Sequence, residues 1–291
     1  MAQGNLESVE FIESVGSIES GGTGCTMRVG DEMNTTNQEK FMRRIRAALG
    51  HAPDVVRDGQ GLFPQEPSAA AQALCERVRR RTAPEREKLF DRMTAAAKQI
   101  NLHIHALPDE AAVAAAIAEL VQARSPEWGD VKQVAVWSHP LIERLNLPRA
   151  LGDVGVPVFV TAPIACPDDA ERSRREREDQ RREIIASYIG VTAADFCLAD
   201  TATIVLRNRP GQPRTVALVP SIHVAVVTLD QLITDMKELF ALLQWDEGFR
   251  QEGLTRYMSF ISGPSKTGDI EAIMVHGAHG PKEVHLYVVT G

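Results

Sequence analysis

The chain has 291 residues, 44% of them apolar and 24% charged, a globular composition long enough for one large α/β domain or two small ones. No run approaches the ~18 apolar residues of a membrane span, and no N-terminal segment has the basic-then-apolar order of a signal peptide, so the cytoplasm is the expected compartment. The net charge of −7 is concentrated at the start: residues 1–32 hold six acids and one base, which leaves the body nearly neutral, without the basic field that marks nucleic-acid binding.

Residues 1–32 are rich in Gly, Ser and Glu and read as a flexible extension; Met33 reads as an alternative start. From Met33 to Gly50, Phe41, Ile45 and Leu49 recur four apart on one helical face, and Gly50 suits a C-cap. A Pro/Gly-containing connector follows, His51–Pro67. A second helical pattern runs from about Ser68 to Gln99, with Leu74, Val78, Leu89, Met93 and Ala96 as its apolar stripe and Pro84 as a break or kink. Residues 33–99 are therefore expected to form a helical arm on an α/β domain at 100–291.

At Ile100 the rhythm changes. INLHIHAL alternates like a strand, and Asp109 caps an Ala-rich helix running to about Arg124. KQVAVW is a strand and LIERLNL a short helix. VPVFV, with no internal polar residue, reads as a central strand. Asp168–Tyr188 is a charged helix whose mixed signs describe a solvated face laced with ion pairs. This βαβα alternation implies an open, mostly parallel sheet with helices on both faces. After Gly190 come strand-like runs, FCLADTATIVL, TVALVP and IHVAVV, then an amphipathic helix from about Asp230 and a last alternating strand at the chain end.

The turn Ser262–Asp269 (SGPSKTGD) can cradle an anion. Ser262, Gly263, Ser265, Lys266 and Thr267 supply hydroxyls, a free backbone path and an ammonium, and a helical turn beginning after Thr267 would add its dipole. Its spacing is not that of a Walker loop. His276 and His279, with Asp269 and Glu271, make a conceivable metal set, but Gly277 and Gly280 interrupt a helix there, and a turn histidine is the plainer reading; His279 can still donate to a carboxylate. Asp195 and Asp200 flank an apolar run, either lining a site or bonding turn amides. His223 stands at a strand mouth after Pro220, facing a ligand or satisfied within the structure. Cys25, Cys75, Cys166 and Cys197 are far apart, with neither CxxC nor Cys–His spacing, so no iron–sulfur or zinc site is expected in this chain.

Three blocks together resemble the LUD (lactate-utilisation) domain family, in its lactate utilization protein C subgroup: GVTAADFCLADTATIVL (Gly190–Leu206), ALVPSIHVAVV (Ala217–Val227) and ISGPSKTGDIE…GAHGPKEVHLYVV (Ile261–Val289). Where the family carries Thr-Gly-Thr, this chain has Thr201-Ala202-Thr203, so Ala stands where the turn wants Gly. The resemblance implies a fold of the NagB/RpiA/CoA-transferase-like type, related to 5-formyltetrahydrofolate cyclo-ligase. It implies a subunit of an L-lactate oxidation complex whose iron–sulfur clusters belong to partner proteins. Two other classes remain open: a free-standing CoA-transferase-like or cyclo-ligase-like enzyme acting on a small anion, and a non-catalytic assembly protein. The ligand-binding set expected is Asp200, Thr201, Thr203, His223, Ser262, Gly263, Ser265, Lys266, Thr267, Asp269, Glu271 and His279, gathered at the carboxyl ends of the strands, as is usual for open α/β sheets.

Overall fold

The structure, a computed structural model, describes residues 31–51, 66–127, 129–164, 169–253, 255, 257–268 and 274–291. It divides into two units, residues 1–64 and 65–291. In the first, α1 (Asp31–Ala48) carries exposed Phe41 and Ile45 one turn apart, and Gly50 follows with a positive φ of 74°. Nearly all of the expected 1–32 extension lies outside the described residues.

The second unit opens with α2 (Ala69–Arg79), whose first turn is capped by the Ser68 hydroxyl, and α3 (Ala83–Ile100). Thr82 and Glu85 form a capping box at the start of α3, with Pro84 in the first turn, so the proline separates two helices rather than kinking one. There follow β1 (His103–Leu107), α4 (Glu110–Ala123), β2 (Val134–Val136), α5 (Pro140–Arg144), α6 (Leu147–Gly152), β3 (Val158–Val160), α7 (Ala170–Ala186) and β4 (Ile189–Ala193). Then come β5 (Phe196–Leu198), β6 (Thr203–Arg207), α8 (Thr215–Leu218), β7 (Ile222–Thr228), β8 (Leu232–Ile233), α9 (Met236–Trp245) and α10 (Glu247–Glu252). The chain closes with β9 (Met258–Ile261), β10 (Lys266–Gly268), β11 (Met274–His276) and β12 (Glu283–Val289).

The main sheet has the order β1-β12-β7-β4-β2-β3, and every pairing in it is parallel. A second sheet, β8-β5-β6-β9, is mixed, and β10 pairs antiparallel with β11. The fold is thus α/β, as expected, with a second sheet added. One face of the main sheet packs under α4, α5 and α6 through Val113, Ile117, Leu141, Leu151, Val191 and Val224. The other face joins α3 to the inner face of the second sheet through Met93, Trp137, Cys197, Ile204, Ala225 and Leu286. Alternate residues of the second sheet, Phe196, Leu198, Val205 and Ile233, point away and are covered by Cys75 of α2 and by Leu239, Leu242 and Leu243 of α9.

Several sequence-based expectations change. VPVFV is an edge strand, not a central one; its residues reach both cores, Val158 on one face and Phe159 on the other, so an edge can be wholly apolar. Ile100 ends α3 rather than starting a strand. TVAL forms the short helix α8, tucked against β4 at Gly190, where any Cβ would overlap the Val216 carbonyl oxygen. The helix placed at Asp230 begins at Met236, where the Asp235 carboxylate accepts from the Lys237 and Glu238 amides.

Two core histidines set an acid limit. His223 and His285 are buried, and burial pushes their pKa values down to about 3 and about 4. The folded state therefore holds fewer protons than the unfolded chain, whose histidines titrate near ~6.5. Stability is complete above that pH and falls as pH drops, by about 1.4 kcal/mol per unit for each histidine. Melts of the full chain at pH 7, 6 and 5 should show a midpoint that declines below about pH 6.5; a flat midpoint across this range would refute neutral burial.

Candidate functional site

The tight β5–β6 hairpin positions the first group of residues. Ala199 and Asp200 donate backbone amides to Ile233 and Thr234 at 2.8 and 3.1 Å. The turn then passes through Ala202 at φ 48°, in left-handed space, with its methyl buried. That is the position where the resemblance calls for Gly, and the strain is real. It displays Thr201 outward and Thr203 inward. The β6–β9 register sets Ile204 opposite Ile261, which lays Ser262 beside Thr203. The hydroxyls form a chain: Thr201 to Thr203 at 2.7 Å and Thr203 to Ser262 at 2.7 Å. Asp200 pairs with Arg92 of α3 at 2.8 Å, and a cleft of about 250 Å³ beside it is lined by Asp200, Thr201, Asp235, Met236 and Lys237.

The turn after β9 is held by α3. Gly263 has φ 83°, and an added Cβ would collide with the Ile100 carbonyl oxygen. Lys266 donates its ammonium to that same carbonyl at 3.5 Å, so it partly serves the carbonyl end of α3. Ser265 binds the other C-terminal turn: its amide donates to Pro281, its carbonyl accepts from Gly277, and its hydroxyl accepts from the His279 amide at 3.2 Å. Lys282 then donates its amide to Ser221 at 2.8 Å, which joins the Pro220–His223 block. β10 runs to Gly268, and the rest of the helical turn expected after Thr267 lies outside the described residues. The Thr267 side chain, Asp269 and Glu271 lie outside the described residues.

The three blocks thus form a polar seam of two hydrogen-bonded groups joined along the chain: Thr201, Thr203 and Ser262, then Ser265 with the Gly277–Pro281 turn, followed by Lys282 on Ser221. Thr201 and Ser262 follow the carboxyl ends of β5 and β9, as expected, whereas Ser221 and Lys282 stand at the amino ends of β7 and β12. His223 does not face the seam. Its Nε2 meets the Thr192 hydroxyl at 2.9 Å inside the core, and Nδ1 has no hydrogen-bond partner among the described residues. Asp195 is a turn residue: one oxygen accepts from the Arg207 amide at 2.7 Å and the other pairs with Arg209 at 2.6 Å.

One group escaped the sequence reading. His103 and His105 of β1 and His285 and Tyr287 of β12 share one face of the sheet in register. His285 stacks on His103 at 4.8 Å and meets His105 at 3.3 Å between Nδ1 and Nε2. His285 Nε2 lies 3.2 Å from Glu283, which is bound by Arg124 at 3.0 Å. Burial works against the Glu283 charge, but Arg124 and His285 hold its pKa below the ordinary carboxylate value. A carboxylate only accepts, so the Nε2 proton of His285 points to Glu283, and its Nδ1 accepts from His105. The signal was available as His at i and i+2 in HIHAL, matched by one His in the last strand.

The LUD domain family matches residues 90–289, which contain the whole seam. The chain belongs to the LUD domain family. A lactate utilization protein C from Exiguobacterium sp. is 31% identical over 174 residues, covering 59% of this chain and 71% of that protein. A lactate utilization protein B from Geobacillus thermodenitrificans is 28% identical over 123 residues, covering 42% of this chain and only 24% of that protein. A crystal structure of a DUF162 family protein from Deinococcus radiodurans aligns with 71% of this chain at 17% identity and a TM-score of 0.43.

Two substitutions test the seam's backbone. Gly263→Ala should cost about 2–4 kcal/mol, from left-handed strain plus the clash with Ile100, and should lower the melting midpoint clearly. Ala202→Gly should be near neutral, within about 0.5 kcal/mol, because relief of roughly 1 kcal/mol of strain is offset by loss of a buried methyl worth about 0.8 kcal/mol. A large loss at Ala202→Gly would show that the methyl, not the turn, governs this position.

Proposed function

We propose that this protein acts in lactate utilisation, as a subunit of a cytoplasmic complex that oxidises L-lactate to pyruvate with iron–sulfur partner proteins. The observation that carries this is the family match over residues 90–289, together with relatives named lactate utilization protein C and B. The B relative shares a homologous segment that is a minor part of its length, which supports two related domains serving one pathway.

In this reading the oxidation of lactate's hydroxyl-bearing carbon delivers electrons to clusters held by the partners. This chain supplies binding and positioning through the seam. Thr201, Thr203 and Ser262 offer linked hydroxyls that both donate and accept, and Asp200 holds a negative charge next to them, balanced by Arg92. Cys75 and Cys197 are buried in two different cores, and burial raises both thiol pKa values, the opposite of what a metal-ligating thiolate needs. Among the described residues no helix is long and apolar enough to cross a membrane.

The test is reconstitution. The chain is purified with candidate iron–sulfur partners and lactate-dependent dye reduction is measured with each component left out in turn. Full activity should require this chain, and the chain alone should reduce no dye. Ser262→Ala and Asp200→Asn should each lower the reconstituted rate by about tenfold or more, with melting midpoints within a few degrees of the parent. Turnover by the isolated chain would favour a free-standing enzyme. Full activity in its absence would remove it from the complex.

A further inference from the structure

At the amino end of β1 lies a cavity of about 590 Å³, lined among others by Lys98, Asn101, Leu102, His103, Pro264 and Lys282. It touches the seam at Pro264 and Lys282, yet the hydroxyl chain and the hairpin turn lie outside its lining. We propose that this cavity binds a phosphate-bearing small molecule of about nucleotide size, distinct from lactate.

Three observations carry this. The first is charge. Lys98, in the lining, has no ion-pair partner among the described residues. Lys282 is neutralised by Glu127. The carbonyl end of α3 brings roughly half a negative charge, less than the Lys98 ammonium supplies. The second is the type of cation. Among the described residues the lining holds lysines and no arginine. Lysine is a compact point charge that binds phosphate from any side, without the planar register a guanidinium fork imposes. The third is size and surface. The volume falls within the ~300–1,000 Å³ of small-molecule sites and far exceeds what a lactate-sized molecule fills. Leu102 and Pro264 supply apolar walls, while the exposed imidazole of His103 is held flat by stacking on His285 at 4.8 Å. Apolar walls and a braced ring suit a ligand with a ring or apolar portion as well as a phosphate. Asn101, held in a left-handed conformation at φ 58°, adds an amide at the mouth.

The inference stands on the cavity and not on the lactate reading. Isothermal titration of the full chain with AMP, inorganic pyrophosphate and L-lactate tests it. AMP or pyrophosphate should bind saturably with a Kd below about 1 mM, more weakly as salt is raised. Lys98→Glu should weaken that binding at least about tenfold while the melt is unchanged, and His103→Ala should weaken AMP more than pyrophosphate. Lys237→Glu, in the separate cleft beside Asp200, should bind as the parent does. The proposal is overturned if neither phosphate probe binds saturably, if Lys98→Glu binds them as well as the parent, or if L-lactate displaces them. Lactate-dependent dye reduction by the reconstituted complex is read separately, so a failure here leaves the pathway assignment untouched.

Discussion

The last turn of α3 is the contact on which the polar seam hangs. A helix leaves its final carbonyls without intrahelical donors, and they carry partial negative charge. Here the Ile100 carbonyl is approached so closely by Gly263 that no side chain fits, and it receives the Lys266 ammonium from the same turn. Eight residues earlier on the same helix, Arg92 holds Asp200. At about 1.5 Å per residue, α3 therefore acts as a ruler of about 12 Å between the hairpin turn and the Ser262–Lys266 turn. The capping box at Thr82 and Glu85 fixes where that ruler starts, and the buried face of Leu89, Met93 and Ala97 fixes its rotation.

In the main sheet the seam reaches the amino ends of β7 and β12, through Ser221 and Lys282, while the usual crevice is occupied. The connections leaving β2 and β4 run in opposite directions, β2 outward to β3 and β4 back toward β7, which makes the point between them the expected ligand cleft. In this chain the segment after β6 closes over it. Thr161 donates its hydroxyl to Gly211, Trp137 donates its indole N–H to Pro213 at 2.9 Å, and Gln212 donates to Ser138 at 3.1 Å. Arg209 is shared between Asp195 and Glu252; burial opposes its charge, but the two carboxylates hold its pKa above the ordinary value. A crevice filled by side-chain hydrogen bonds to backbone carbonyls and by a doubly paired guanidinium has little left to offer a ligand. The second sheet, whose strands fall between β4 and β12 in chain order, instead supplies the polar turns after β5 and β9.

What could be read in the sequence follows from the range of each interaction. Local signals served well: the Asp109 cap, the break at Pro84, the αβ alternation and the unusual Ala at 202 are settled within a few residues. Gly190 and Gly263 are different, since the atoms that forbid a side chain there belong to Val216 and Ile100. Edge and centre were confused at VPVFV because sequence shows only whether a strand's two faces are covered, not whether it has neighbours on both sides. The choice of strand end was equally hidden. It depends on which crevice the segment after β6 fills, and that segment's partners lie some 50 to 75 residues away along the chain. His223 was legible as a strand-mouth residue but not as a core one, because its partner Thr192 comes from a strand that had not been distinguished.

The amino edge of the sheet also explains why three imidazoles are tolerated together. β1 is an edge strand, and a smooth apolar face there would invite pairing with another chain. His103 and His105 break that face with polar rings that still pack by stacking. The cost is that His285 is buried between them. That cost is bearable only while the ring is neutral, and its neutrality is organised: Arg124 fixes Glu283, Glu283 takes the Nε2 proton, and His105 supplies a donor to Nδ1. Every polar atom of the buried ring is then satisfied without a net positive charge inside the sheet. Removal of Arg124 would act three side chains away, by weakening the carboxylate that sets the tautomer. The edge is therefore protected by a hydrogen-bond chain whose anchor is on the surface, and its integrity depends on a long-range ion pair rather than on packing alone.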